Sequence, residues 1–240
     1  MDLLNAVTIV VPVFITPTDK TNDSQRLKWL HSCVESCARQ YPAYPFIIQI
    51  WNDGSPSPRI NQAIKVISRR WNCEAYDCTR KAHKTAGWIM NETLNNCKTK
   101  YIFWIGCDDE IHPQFLQSCI QAWNRTEEDE KILGTGTDCM RETKINGQLK
   151  RENWAAASSP VYDTKLIQTH RFNEDLEHAI DGAFQQHFFE QGYTIRKVSL
   201  PLYLYRFHDS QLSRGIHHDL QQERALEQYK RDMRYTEAKL

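Results

Sequence analysis

The chain carries no net charge: 30 lysines and arginines balance 30 aspartates and glutamates over 240 residues. Nucleic-acid binders owe much of their affinity to neutralised phosphates, so a balanced surface excludes that class on electrostatic grounds. A long apolar segment is also missing. The longest mostly apolar run, Val7 to Ile15, is too short to span a bilayer and is broken by Thr8 and Pro12. It lacks the basic start and small-residue cleavage site of a signal peptide. No internal repeat or low-complexity tract is present, and an aromatic content of 11% argues against disorder outside the tail. Paired Cys-x-x-Cys knuckles are absent. The eight cysteines, among them Cys33, Cys37, Cys73 and Cys78, therefore read as reduced small hydrophobes and not as a zinc site or disulfide scaffold. Together these absences predict a soluble, cytoplasmic protein without a membrane span.

What is present is an alternation of strand and helix patterns. Val7–Val13 is short and β-branched, which predicts a buried strand. Leu27, Leu30, Val34 and Cys37 follow at helical spacing after the N-cap candidates Thr21 to Ser24. Phe46–Trp51 is a second strand, Ile60 to Ile67 a second helix, and Glu74 to Cys78 a weak third strand. Ala86, Ile89, Met90 and Leu94 mark a third helix, followed by the apolar run Tyr101–Ile105 and a helix opened by Pro113 at its first position. This alternation predicts an α/β fold with a mostly parallel sheet flanked by helices. Beyond residue 112 it breaks down. Asn146-Gly147 reads as a hairpin turn, helices follow Tyr162 and span Asp181 to Gln191, and a short strand covers Thr194 to Val198. A polar helix is expected over 219–240. The organisation is thus one domain over 1–218, with a nucleotide-binding-like half to about residue 112 and a smaller, irregular half from about 113.

Ligands of an open parallel sheet bind outside the carboxyl ends of its strands. Three segments fall there: Pro12-Val13-Phe14, Asn52-Asp53-Gly54-Ser55 and Cys107-Asp108-Asp109-Glu110. The second can be a plain turn and the third a solvated loop. Adjacent like charges directly after a buried strand are costly without a cation, and hard oxygen ligands favour Mg²⁺ or Mn²⁺.

These segments resemble the family 2 glycosyltransferases of GT-A fold. The likeness lies in Val7-Thr-Ile-Val-Val-Pro-Val-Phe14, in Asn52-Asp-Gly-Ser55, and in Tyr101-Ile-Phe-Trp-Ile-Gly-Cys-Asp-Asp-Glu-Ile-His-Pro113. It continues in Asn91, in the segment from Arg171 to Asp181 with Gly192, and in Tyr205-Arg-Phe-His208 with Ser213. Three positions depart from the family pattern: Gly106 replaces the first Asp of Asp-x-Asp, Asn52 the first Asp of the turn, and Ile180 the Glu of Glu-Asp.

The resemblance implies inverting hexosyl transfer from a nucleoside-diphosphate sugar to a hydroxyl on a glycan or related acceptor, as in polysaccharide biosynthesis. Asp181 would be the general base. Asp53 would accept from a base imide, which suits UDP, while Pro12, Val13 and Phe14 wall the base pocket. Asn91, Lys84 and Asp108 would contact the nucleotide sugar. Asp108, Asp109 and His208 would hold Mn²⁺ or Mg²⁺, with Asp109 the direct ligand. Each has a plainer reading: Asp181 as a first-turn helix acid, Lys84 with Arg80 as solvated charge, His208 as a surface histidine, Trp154 as a half-buried core residue and not an acceptor platform. Two other functions compete. A sugar nucleotidyltransferase would carry a glycine-rich loop after the first strand, which Pro12 to Pro17 lacks. A non-catalytic nucleotide-sugar-binding module is suggested by Gly106 and Ile180.

Overall fold

Val7, Ile9, Val11 and Val13 point to one face of β1 (Val7–Val13) and Val10 to the other, and all are fully buried. A strand covered on both faces must lie inside a layered α/β structure. The computed structural model, which describes residues 6–15, 23–41, 44–78, 86–127, 129–145, 148–176, 180–208 and 235–237, shows how. β1 pairs in parallel with β2 (Phe46–Asn52) and β4 (Tyr101–Trp104), and β2 with β3 (Glu74–Asp77). The order β3-β2-β1-β4 reverses direction between β1 and β4, so a crevice opens beyond their carboxyl ends.

One face of this sheet is covered by α1 (Asp23–Ala38), α2 (Pro58–Trp71) and α4 (Phe115–Asn124), through Leu30, Val34, Ile60, Ile64, Phe115 and Ile120. The other is covered by α3 (Ala86–Asn96), α5 (Thr164–Ile167) and α6 (Ile180–Glu190), through Ile89, Leu94, Ile167, Phe184 and Phe188. Helix α4 starts two residues later than expected. Pro113 precedes it, and its carbonyl accepts from Tyr41 N–H at 2.9 Å. Proline takes the expected first-turn position in α2 instead, at Pro58.

The second half extends the same sheet. Among the described residues the path continues from β4 through β8 (Val161–Asp163), β6 (Ile132–Ile145), β9 (Thr194–Phe207) and β10 (Tyr235–Glu237), with β5 (Glu110–Ile111) on β9 and β7 (Gln148–Ala157) on β6. β6 (Ile132–Ile145) and β7 pair antiparallel with Ile145 opposite Gln148, as expected for a hairpin; Asn146 and Gly147 themselves lie outside the described residues. β8 (Val161–Asp163) is antiparallel to both its neighbours, so the second half mixes antiparallel pairs with the parallel ladders of β6 on β9 and β9 on β10.

The expected short strand at 194–198 is β9, which runs from Thr194 to Phe207. Pro201 concealed its length, since proline cannot donate to a ladder; it sits opposite Asp138, where the β6–β9 register shifts. The tail corrects a second expectation. Tyr235–Glu237 form β10, parallel to β9, so the helix does not run to the terminus, and 219–234 lie outside the described residues. Polar composition fitted an exposed helix, but a sheet edge satisfies backbone groups equally well. All eight cysteines are free, and burial pushes the Cys107 and Cys119 thiols up. Among the described residues no helix is long and apolar enough to cross a membrane.

Candidate active site

The acidic turn after β4 is held from below by α1. Cys33 and Ser36 share one face of α1, and Gln40 continues that spacing two residues beyond its end. The Cys33 thiol donates to the Gly106 carbonyl (3.3 Å), and Ser36 Oγ accepts from Ile111 N–H (3.1 Å). Gln40 donates to the His112 carbonyl (2.9 Å) and accepts from Leu116 N–H (3.0 Å). Within the turn, Asp109 N–H donates to the Gly106 carbonyl at 3.0 Å. A Cβ at Gly106 would sit 2.8 Å from Asp108 Oδ1 and 3.1 Å from Asp109 Oδ2. The space of the missing first aspartate is therefore filled by the other two carboxylates.

Asp109 differs from its expected role as the direct cation ligand. It is 4% exposed, and both its oxygens have protein donors: Tyr203 O–H to Oδ2 (2.7 Å) and Arg206 N–H to Oδ1 (3.0 Å). Desolvation, and then the neighbouring Asp108 charge, push its pKa well above the carboxylate range, against the opposing pull of Tyr203 and Arg206. Asp108 is the more accessible of the two, and its Oδ2 lies 2.7 Å from His208 Nε2. The His208 ring stacks on Trp29 with centroids 4.5 Å apart. Among the described residues no three His, Cys, Asp or Glu side chains form a ready cage for a cation. Asp108 and His208 offer a carboxylate and an imidazole at one point, which fits a cation whose remaining ligands are diphosphate oxygens and water.

Beneath the turn lies a charge network that sequence patterns did not reveal. Arg206, 8% exposed, donates through Nε to Glu142 Oε1 (3.0 Å) and through Nη1 to the Asp108 carbonyl (2.6 Å), and it pairs with Glu110. Glu142, 6% exposed, also receives Arg151 at 2.8 Å. Arg206 and Phe207 belong to β9, and 209–214 lie outside the described residues. The Tyr203 hydroxyl is the easiest member to probe. Tyr203→Phe leaves Asp109 short of one donor in a buried site, and should cost about 1–3 kcal/mol in urea denaturation, as loss of a buried partner does.

At the end of β2, Asp53 is buried and its N–H donates to the Val13 carbonyl at 2.8 Å, tying the ends of β1 and β2 together. Asn52 explains its departure from aspartate. Its Oδ1 accepts from Ser55 N–H (3.1 Å), while its Nδ2 donates to Asn61 Oδ1 (2.7 Å) and Asp77 Oδ1 (3.4 Å). A carboxylate could not donate and would face that of Asp77. Gly54 takes φ +74°, which suits glycine in this turn. Pro12 and Phe14 are half-buried, but the Val13 side chain is fully buried in the core and cannot line a base pocket.

Asn91 is likewise a strut and not a donor contact. It is 1% exposed; Nδ2 donates to the Phe172 carbonyl (2.9 Å) and Glu174 Oε1 (2.7 Å), and Oδ1 accepts from Phe172 N–H (2.9 Å). α3 approaches this segment so closely that a Cβ on Gly87 would lie 2.6 Å from the Asn173 carbonyl oxygen. The strut positions the chain leading into α6, where Ile180 packs in the core and Asp181 is exposed in the first turn. Desolvation by the surrounding protein raises the Asp181 pKa, while the N–H groups of Gly182 and Asp181 lower it less. Trp154 is half-buried and packs on Tyr205, 5.3 Å between centroids, which favours its core reading. Arg80, Lys84 and Ser213 lie outside the described residues.

The chain is similar to known proteins in sequence and in fold. Residues 9–190 match the Glycosyl transferase family 2 profile. EpsH of Bacillus subtilis (strain 168), provisionally named a glycosyltransferase, is 25% identical over 232 residues, covering 86% of this chain and 62% of EpsH. The crystal structure of S. aureus TarS 1-349 in complex with UDP-GlcNAc superimposes with a TM-score of 0.62 at 14% identity, over 86% of this chain and 60% of that one. The complex with UDP gives 0.59 at 14% identity, over 84% and 60%. This chain thus spans less than two thirds of the length of each relative. The structural likeness establishes the GT-A fold. With strand order, acidic turn and profile in agreement over most of its length, the chain belongs to glycosyl transferase family 2.

Proposed function

We propose that the chain transfers a sugar from a nucleoside-diphosphate donor, UDP-linked, to a hydroxyl of a glycan or related acceptor, with inversion. The observation that carries this reading is the meeting of Asp108 and His208, 2.7 Å apart, above the buried Asp109 at the switch point of the sheet. Asp108 and His208 hold Mn²⁺ or Mg²⁺, which when bound supplies positive charge to the leaving diphosphate. Asp109 keeps the turn in shape. Asp53 accepts from the base imide N–H between half-buried Pro12 and Phe14, and the UDP complexes of TarS agree with a uridine donor.

Transfer joins the acceptor oxygen to the anomeric carbon as the bond from that carbon to the diphosphate oxygen breaks. The hydroxyl proton must go to a base on the face opposite the leaving group. Asp181 takes it, and releases it to water when product leaves. Desolvation raises its pKa, which makes the ionised carboxylate a better proton acceptor. The reaction takes place in a cytoplasmic setting.

The test is a thermal-shift panel of nucleotide sugars with Mn²⁺ or EDTA, followed by turnover with mixed glycan acceptors. A ligand that binds the folded state alone stabilises it by about 2.7 kcal/mol at a hundred times its Kd. UDP-sugars should raise the melting temperature with Mn²⁺ and lose most of that effect in EDTA. Full turnover in excess EDTA would remove the cation from the reading, and binding without any turnover would leave a nucleotide-sugar-binding module.

A further inference from the structure

We propose that Trp29 is a positioning residue for the cation site: its indole face holds the His208 imidazole in the orientation that brings Nε2 to Asp108. This rests on the reading above, in which Asp108 and His208 together hold the divalent cation.

His208 follows the last residue of β9, and its side chain meets the acidic turn at Asp108 and α1 at Trp29. The two rings stack with centroids 4.5 Å apart and planes inclined by 27°, and in the same arrangement Nε2 lies 2.7 Å from Asp108 Oδ2. A face-on stack restrains rotation of the imidazole but uses neither ring nitrogen. Nε2, hydrogen-bonded to Asp108 Oδ2, would turn its in-plane lone pair to a cation once that proton leaves to water, and the indole shields one face of the ring from water.

Trp29 is itself held in register. Trp29, Cys33 and Ser36 are spaced by four and three residues, so they fall on one face of α1, and Gln40 follows two residues beyond its end. The last three bind the Gly106 carbonyl, Ile111 N–H, the His112 carbonyl and Leu116 N–H. One helix face thus grips the turn that carries Asp108 and presents the indole to the histidine that must meet it. Partners that orient metal-ligating histidines typically contribute 10- to 100-fold to metal affinity. No sequence motif marked Trp29, because its role depends on a residue 179 positions away in the chain.

The experiment measures Mn²⁺ affinity of the protein–UDP complex by electron paramagnetic resonance of free Mn²⁺. The variants are Trp29→Leu, Trp29→Phe, His208→Ala and the double variant Trp29→Leu/His208→Ala. Leucine keeps apolar volume against the core and removes the flat face; phenylalanine keeps the face. Trp29→Leu should weaken Mn²⁺ binding by about 10-fold or more, and Trp29→Phe should restore most of the loss. On the His208→Ala background the leucine substitution should cost nothing further. UDP affinity in EDTA and the melting temperature, measured alongside, report the fold. Parent-like Mn²⁺ affinity in Trp29→Leu overturns the proposal, as does an equal loss in Trp29→Phe or a full additional loss on the His208→Ala background. Unchanged affinity in His208→Ala itself would instead overturn the cation reading, and the positioning role with it.

Discussion

Replacing Asp181 with asparagine should lower kcat by about 10²–10⁴-fold, the usual contribution of a general base, which is roughly 3–5.5 kcal/mol of barrier. Affinity for UDP and Mn²⁺ should stay at the parent value. Asparagine preserves the size of the side chain and one acceptor oxygen but removes its basicity. The proton moves as the new bond forms, so the lost interaction belongs to the transition state, and KM for the donor should change little. The pH profile gives an independent reading. Only the ionised carboxylate can accept a proton, so kcat should fall as pH drops through the Asp181 pKa. Desolvation raises that pKa above the ordinary value, with the N–H groups of Gly182 and Asp181 opposing it. The acid limb should therefore lie higher than for an unperturbed aspartate in the parent and vanish in Asp181→Asn. If Asp181 serves only the dipole of α6, the same change costs about 0.3–1 kcal/mol of stability and leaves kcat intact. Steady-state kinetics across pH, with nucleotide calorimetry, decide between the two.

Arg206→Met should cost about 3–5 kcal/mol of stability, the penalty for breaking a buried ion pair by removing one partner. Arg206 is 8% exposed and Glu142 6% exposed. Without the guanidinium, Glu142 keeps Arg151, at the more exposed side of the pair, while Glu110 and the Asp108 carbonyl lose their donor. Against a total stability of about 5–15 kcal/mol this is a large fraction, and urea denaturation should show it directly. The acidic turn should also loosen, since the Arg206 side chain fixes the Asp108 carbonyl. Mn²⁺-dependent UDP binding should then weaken even under conditions where the variant remains folded. Arg206→Lys keeps the charge but cannot span Glu110, Glu142 and the carbonyl at once, so it should fall between parent and Met. Parent-like stability in Arg206→Met would show that the network contributes nothing net.

The correspondence between sequence and structure is uneven for physical reasons. Val7–Val13, Phe46–Asn52 and Tyr101–Trp104 are buried parallel strands, and continuous apolar runs of that length mark such strands directly. Turn composition located Asn52 to Ser55, since its Asx-type bond and left-handed glycine are local features. The second half was read less well. β9 is interrupted by Pro201 and carries Arg196 and Arg206, both of which are buried against carboxylates supplied by other elements. Charged residues in a strand read as exposed until their partners are known.

The amino-acid sequence by itself determined the alternation of elements in the first half, the ends of β1, β2 and β4 to within a residue, and hence the three polar segments gathered at one edge of the sheet. These follow from periodicity and from contacts within a few residues. Only the tertiary structure decided the roles within that edge. Asp108 and Asp109 are neighbours of identical chemistry, yet Asp109 is buried under Tyr203, 94 residues away, while Asp108 meets His208, 100 residues away. Asn91 and Val13, both candidates for the donor, became a strut and a core residue through the packing of α3 on 172–174 and of α1 and α2 on β1. Those assignments depend on the parallel β6–β9 ladder and its register shifts, which set where residues 203 to 208 arrive. A one-residue slip in that ladder would turn Tyr203 and Arg206 to the opposite face, and nothing local in the chain specifies which register is adopted.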